Sequence, residues 1–273
     1  MDSLKGKNIV ITGASSGIGK ALSIEASKCG ANLVLAARRI EKLKELESTI
    51  SSQSSDIFCV QTDVSNQQEC ENLIQIAKEK LGSIDVLINN AGISMRAPFE
   101  EVETDVLEEV MKVNFWGTVY CSKAAISVLL ESKGSLVAIS SVTGFKGLPG
   151  RTGYASSKFA INGLFESIRM EYMNRGLHTL IACPGFTASE IRHNALTSDG
   201  SKQKDSPGDE SEMDNASDVA LDILQAIRDR KDFMLTNKQG KIIYWVNKFF
   251  PKFLEKRIHK AIAKEPNSPI KNR

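Results

Sequence analysis

Short apolar runs recur along this chain, with amphipathic stretches between them. Asn8–Thr12, Asn32–Ala37, Ile57–Gln61, Asp85–Ile88, Ser135–Ser140 and His178–Cys183 are each four to six residues long and mostly apolar. Runs this short, with little polar alternation, predict strands buried on both faces. Stretches of helical period follow: from the glycines after Thr12 to about Cys29, Arg39 to about Ser51, Asn66 to Leu81, roughly Thr104 to Ser132, and a segment carrying Tyr154 to about Asn174. This alternation predicts an α/β fold, a doubly wound and mostly parallel sheet with helices on both faces, in a single domain. No internal repeat of fixed period is visible.

Two segments break the rhythm. Residues 185–215 are mostly polar, including Thr197–Gly208; a loop of this length predicts a functional lid or disorder. Helix resumes after Asn215, an N-cap residue with Asp218 at N3. From residue 240 the chain becomes basic and aromatic. The division expected is therefore 1–239 for nucleotide binding and catalysis, and 240–273 for a C-terminal extension.

Bulk properties exclude several classes. The 273 residues suit one α/β domain, and 41% apolar with 25% charged residues is ordinary for a globular chain. A net charge of +2 gives no global case for nucleic acid. Cys29, Cys59, Cys70, Cys121 and Cys183 are odd in number and form no Cys-x-x-Cys, which reads as isolated thiols in a reducing compartment. His178, His193 and His259 lack ligand spacing, so no metal is expected. A strand pattern begins within eight residues of the start, leaving no room for a signal peptide, and no run has the length of a membrane span. A cytoplasmic protein is expected.

Chemistry enters at two places. Thr12-Gly-Ala-Ser-Ser-Gly-Ile-Gly19 follows a strand and opens a helix. Glycines at 13, 17 and 19 permit a tight turn whose N–H groups approach a pyrophosphate at a helix N-terminus. Tyr154 and Lys158 stand four apart, on one face of a helix, with Ser141 thirteen positions upstream. A phenol beside a cation can serve as an acid/base group, because the cation favours phenolate. By itself such a pair equally describes a solvated helix face.

Together these motifs resemble the short-chain dehydrogenase/reductase family. TGASSGIG at 12–19, NNAG at 89–92, Ser141 and Tyr154-x-x-x-Lys158 occur in the family's order, with Asp63, Asn114 and Pro184-Gly185, over roughly residues 5–235. The resemblance implies a Rossmann fold and hydride transfer between nicotinamide and a carbonyl or alcohol. It makes Tyr154 the general acid in reduction, with Lys158 lowering its pKa and holding the nicotinamide ribose. Ser141 then stabilises the substrate oxygen, and Asn114 binds a water that links Lys158 to solvent. Gly13, Ser15, Ser16, Gly17, Ile18 and Gly19 become the phosphate loop. Asp63 lies near adenine and Asn90 near the adenosine ribose, with Ala91, Gly92, Pro184, Gly185 and Thr187 also on the cofactor side. Ser189 stands where the family often has threonine, near the nicotinamide amide. Family tendency implies a homodimer or homotetramer.

At the end of the second strand, where an acid would read the ribose of NAD, the chain has Ala37 followed by Arg38. Guanidinium suits a 2′-phosphate, so the expected cofactor is NADP(H). The substrate pocket is expected among Ile93, Met95, Phe145, Leu148, Pro149 and residues 186–196. This apolar lining points to a lipophilic ketone, while Arg96 and Arg192 leave room for an anionic group. The competing class is a nucleotide-binding regulatory or membrane-surface scaffold on the same fold. The segment 241–264 carries seven Lys/Arg and one Glu, a net +6 against +2 for the whole chain. It reads either as an amphipathic helix on an anionic membrane surface, or as a helix packing Tyr244, Trp245, Phe249 and Phe250 on the domain or a partner subunit. Pro251 is expected to kink or divide it.

Overall fold

The computed structural model describes residues 4–51, 56–187, 190–203, 213–265 and 268–270. Seven parallel strands form one sheet: β1 (Asn8–Thr12), β2 (Asn32–Ala37), β3 (Ile57–Gln61), β4 (Val86–Asn89), β5 (Ser135–Ile139), β6 (His178–Cys183) and β7 (Phe233–Leu235). Their spatial order is β3-β2-β1-β4-β5-β6-β7. The order reverses between β1 and β4, and ligands of doubly wound sheets bind in the crevice at the carboxyl ends of such strands.

Strand alternation divides the core. Ile9, Ile11, Leu33, Leu35, Ile88 and Val137 face α1 (Gly17–Lys28), α2 (Ile40–Ile50) and α7 (Ala216–Arg228). Val10, Val34, Leu87, Leu136 and Ile181 face α3 (Gln67–Leu81), α5 (Gly117–Glu131) and α6 (Thr152–Tyr172). Both faces are covered, which is why the strands read as nearly unbroken apolar runs.

The structure shifts four expectations. β4 begins at Val86, because Asp85 serves as a tie between strands. Its carboxylate accepts from the Asn8 backbone N–H at 2.9 Å and the Lys7 ammonium at 2.7 Å, joining the start of β4 to β1. The long helix is divided into α4 (Thr104–Met111), a π-turn at Lys112–Trp116, and α5. Such turns re-aim side chains within a continuous helical path, and this one contains Asn114. β5 stops at Ile139. β7, three residues long, pairs with β6 but is too short to show a period.

Capping follows the expected chemistry. Asn66 accepts from the N–H groups of Gln68 and Glu69 to start α3, and Asn215 accepts from Ser217 to start α7. The segment after β6 folds back over the sheet end: Leu196 N donates to Ser94 O at 2.9 Å, and Arg96 N to Leu196 O at 2.7 Å. The tail forms α8 (Lys238–Phe249) and α9 (Pro251–Ile262), divided at Phe250 with Pro251 opening α9. Among the described residues, no helix is long and apolar enough to cross a membrane.

Candidate active site

A cleft of about 680 Å³ opens at the carboxyl ends of β1, β4, β5 and β6. It brings together all the expected site residues except three. Gly19 and Asn114 sit behind its wall, and Ser189 lies outside the described residues.

The glycine loop is shaped by close approach. Gly13 has φ +66°, and a Cβ there would stand 2.8 Å from Ala91 Cα. A Cβ on Gly19 would press on the Gly13 carbonyl oxygen and the Asn90 amide nitrogen. Asn90 donates to Thr12 O at 2.9 Å and Gly13 O at 3.2 Å, and Thr12 Oγ1 accepts from Asn90 N and Ala91 N at 3.0 and 3.1 Å. The two motifs are therefore one hydrogen-bonded unit. Ser16, the N-cap of α1, caps no N–H with its side chain, so the helix start keeps donors for an anion. The cradle fits a dinucleotide pyrophosphate. Arg38 and Arg39 line the same cleft; Arg39 donates to Ser15 Oγ at 3.3 Å and faces Glu190 at 3.6 Å. Asp63 lines it too, its carboxylate accepting from Ser65 N at 2.9 Å.

On the catalytic side, β5 and β6 stay joined beyond the sheet: Ser140 N donates to Ala182 O and Val142 N to Pro184 O. This puts Pro184-Gly185 beside Ser141. The two adjacent serines divide their work. Ser140 is buried and donates to Asn162 at 2.7 Å, while Ser141 lines the cleft with Tyr154 and caps Thr143 N at 3.2 Å. Lys158 is buried, donating to Ile139 O at 2.8 Å with its ammonium 5.6 Å from the Tyr154 ring centre.

The electrostatics depart from expectation. Burial pushes the Tyr154 phenol above its ordinary pKa, outweighing the Ser141 hydrogen bond and the charge of Arg151, which both favour phenolate. Burial also lowers Lys158 to about 8. The sequence assigned Lys158 to lower the phenol's pKa; in this state desolvation dominates, and the cation that favours phenolate is Arg151. Nearby Cys183 is an inert neutral thiol, pushed up to about 12 by burial.

Asn114 is fully buried. Its amide donates to Ile93 O and Ser157 Oγ, and its carbonyl accepts from Ile93 N at 2.8 Å. It thus holds the segment after NNAG against α6, and a Cβ on Gly92 would meet both Asn114 Oδ1 at 3.1 Å and Lys158 Nζ at 3.7 Å. Sequence reasoning missed Arg151, Ser94 and Ser157. Arg151 donates to Ser94 Oγ at 2.7 Å, and both line the cleft. Its signal was available: Arg151 precedes Tyr154 by three, a same-face helical spacing.

The expected substrate lining needs correction. Ile93, Leu148, Phe186, Ile191, Arg192 and Leu196 line the cleft. Met95 is instead buried in a small core with Val106, Val110 and Leu196. Phe145 turns to the opposite side, 5.1 Å from Tyr244, and Pro149 is not in the lining. Arg96 is held by Glu265 at 2.7 Å, away from the cleft lining.

Comparison with known proteins agrees with this geometry. Residues 7–199 match the family model described as short chain dehydrogenase. The 3-ketodihydrosphingosine reductase of Mus musculus is 42% identical over 187 residues, 66% of this chain and 56% of that protein. The chain thus spans little more than half the length of that relative. An alcohol dehydrogenase from the archaeon Thermococcus sibiricus, solved with 5-hydroxy-NADP, superimposes with TM-score 0.75 at 26% identity, covering 85% of this chain and 96% of its own. A short-chain dehydrogenase/reductase from Burkholderia phymatum, solved with NAD, gives TM-score 0.81 at 25% identity over 94% and 97% of the two chains. With its glycine cradle, its serine–tyrosine–lysine cluster and a family match over most of its length, the chain belongs to the short-chain dehydrogenase family.

Proposed function

We propose that this chain is an NADP(H)-dependent oxidoreductase that interconverts a lipophilic ketone and its alcohol. The observation that carries the reading is the meeting of Ser141, Tyr154 and buried Lys158 in the same cleft as the phosphate cradle. When bound, the nicotinamide cofactor supplies or accepts the hydride. The protein's own residues do the rest. Tyr154, a phenol that burial keeps in its protonated form, donates its phenolic proton to the carbonyl oxygen. Ser141 Oγ donates to that same oxygen as charge develops. Arg151, held by Ser94, stabilises the phenolate left behind. Lys158 holds the ribose side of the cofactor, and Asn114 fixes the wall behind it.

Arg38 and Arg39, with no acid at Ala37, support NADP(H) over NAD. Thr187 and Ser189 are assigned to the nicotinamide end. The apolar lining and the likeness to a 3-ketodihydrosphingosine reductase support a long-chain ketone. A homo-oligomer is proposed, with the exposed α6 residues Phe159 and Met170 as the first surface to test.

The test is NADPH oxidation with long-chain ketones, run on wild type, Tyr154→Phe and Arg38→Asp. Tyr154→Phe is expected to lose roughly 10²–10⁴-fold in kcat, and Arg38→Asp to move preference towards NADH. Turnover that survives Tyr154→Phe would overturn the acid assignment, and unchanged selectivity in Arg38→Asp would overturn the cofactor assignment.

A further inference from the structure

The tail helices resolve the two readings of their sequence by dividing them between two faces. The inner face packs on the domain. Tyr244 packs edge-on to Phe145 at 5.1 Å and against Phe233 at 5.5 Å, and Asn247 donates to Phe145 O at 3.0 Å. Leu254 is buried. Glu255 receives Lys146 at 2.9 Å, and Glu265 receives Arg96 at 2.7 Å. Pro269 lies against Gly150. These contacts fix the orientation of α8 and α9.

The outer face has no cover within the described chain. Ile242, Trp245 and Phe249 recur at i, i+3 and i+7 along α8, and Phe250 and Phe253 continue the surface past the break; they are 62%, 53%, 63%, 66% and 61% exposed. Trp245 and Phe249 stack at 6.0 Å, and the Lys248 ammonium sits 5.5 Å from the Trp245 ring centre. Lys241, Lys252, Lys256, Arg257 and Lys260 are exposed around them. The sole acid of residues 241–264, Glu255, already pairs with Lys146.

We propose that this outer face docks on an anionic lipid surface, with α8 and α9 lying in its plane. Exposed aromatic groups at this density mark an interaction site in a soluble domain. Indole and phenyl rings interleaved with lysines suit a bilayer interface, where rings enter the headgroup boundary and lysine stems reach the phosphates. Two helices of 12 residues each are too short to span, so they lie flat. A second copy is disfavoured as occupant, since a symmetric contact would face the same basic surface against itself. The inference stands independently of the catalytic reading. Through Glu265 and Pro269 the tail is joined to the 94–97 and 148–151 segments, which carry Ser94, Leu148 and Arg151 of the cleft wall. Docking therefore holds the cleft close to the lipid.

The test uses the full chain in a Trp116→Phe background, so that Trp245 is the sole indole. Vesicles of phosphatidylcholine alone are compared with vesicles containing phosphatidylserine, by flotation and by Trp245 emission. Flotation with the anionic vesicles and a blue shift are expected, with about tenfold or more weaker binding to the neutral ones. Lys248→Glu/Lys252→Glu is expected to lose about tenfold or more in partition, and Phe249→Ser/Phe253→Ser to lose the blue shift, both folded by circular dichroism. Failure to float with anionic vesicles would overturn the proposal, as would wild-type partition by both variants. So would a shift from oligomer to monomer in the variants without any lipid binding, which would assign the face to a subunit contact.

Discussion

The cleft and the tail depart from an ordinary globular surface in opposite directions. In the cleft, polar groups are buried and bonded: Asn114 has no exposed surface, Lys158 keeps 4%, and both have partners. In the tail, large apolar groups are exposed while their neighbours Tyr244 and Leu254 pack inward. Burying charge costs free energy unless partners offset it, and exposing rings costs free energy unless something covers them. Asn114 is fully satisfied, but among the described residues the Lys158 charge has only a neutral carbonyl partner, so a residual cost remains in the cleft at Lys158 and in the tail at the exposed rings. Substitutions should change stability markedly in the cleft, with the sign set by whether they crowd the fold or remove a buried charge, and be nearly neutral to folding in the tail.

The sharpest break of that contrast is Gly19→Ala. The new Cβ meets the Gly13 carbonyl and Asn90 amide, backbone and bonded side chain with nowhere to go. It is expected to cost about 1–3 kcal/mol or more in stability and to remove nicotinamide cofactor binding, read by thermal melting and by fluorescence titration with the reduced cofactor. Wild-type affinity would show that the cradle is softer than drawn.

Lys158→Met tests the stored cost of a buried charge. Lys158 titrates near 8 in the fold, below its unfolded value near roughly 10.4. A lowered lysine pKa means the unfolded chain binds the extra proton between these values, so wild type gains stability as pH rises from about 8 to roughly 10.4. Below about pH 8 the full penalty, about 3 kcal/mol, applies, and losing the Ile139 hydrogen bond returns about 1 kcal/mol of it. The cofactor-free variant should therefore be the more stable protein at about pH 7 and lose that advantage by about pH 10.5, although catalytically impaired. Parallel stability curves across this window would refute the assignment.

Arg151→Gln should act more gently and only through Tyr154. Removing the cation raises the phenol further, so alcohol oxidation near neutral pH is expected to fall on the order of tenfold, with its alkaline rise moved to higher pH. A uniform loss with an unmoved profile would mean Arg151 only supports the wall.

The smallest effect is expected from Phe249→Ser, which is exposed: stability within about 0.5 kcal/mol of wild type by denaturant unfolding. A larger loss would show that the outer face is packed after all.

Much of this was legible in sequence because the signals are local. β1, β2, β3 and β6 match their apolar runs to the residue, since strands buried on both faces need an apolar side chain at nearly every position. The glycine loop was legible from turn geometry and the Tyr154–Lys158 pair from helical spacing, while Ser141 entered through the family resemblance. The interruption at Lys112–Trp116 was not, because a π-turn keeps helical composition. β7 was not, because three residues carry no period and its pairing with β6 makes it a strand. Phe145 and Met95 were assigned to the pocket by proximity in sequence. Which way each points depends on Tyr244 and Val110, which lie farther along the chain.

The sequence by itself determined the layered architecture, the glycine loop and the basic character of the tail. These follow from periodicity, turn chemistry or charge, which are properties of neighbours in the chain, whereas the proton-transfer roles came through the resemblance to a family. Tertiary structure decided that Arg151 is the cation favouring phenolate, that burial raises Tyr154 and lowers Lys158, and that the tail's rings divide between an inner and an outer face. Desolvation and facing depend on what the rest of the chain brings alongside a residue, and only the folded molecule sets that.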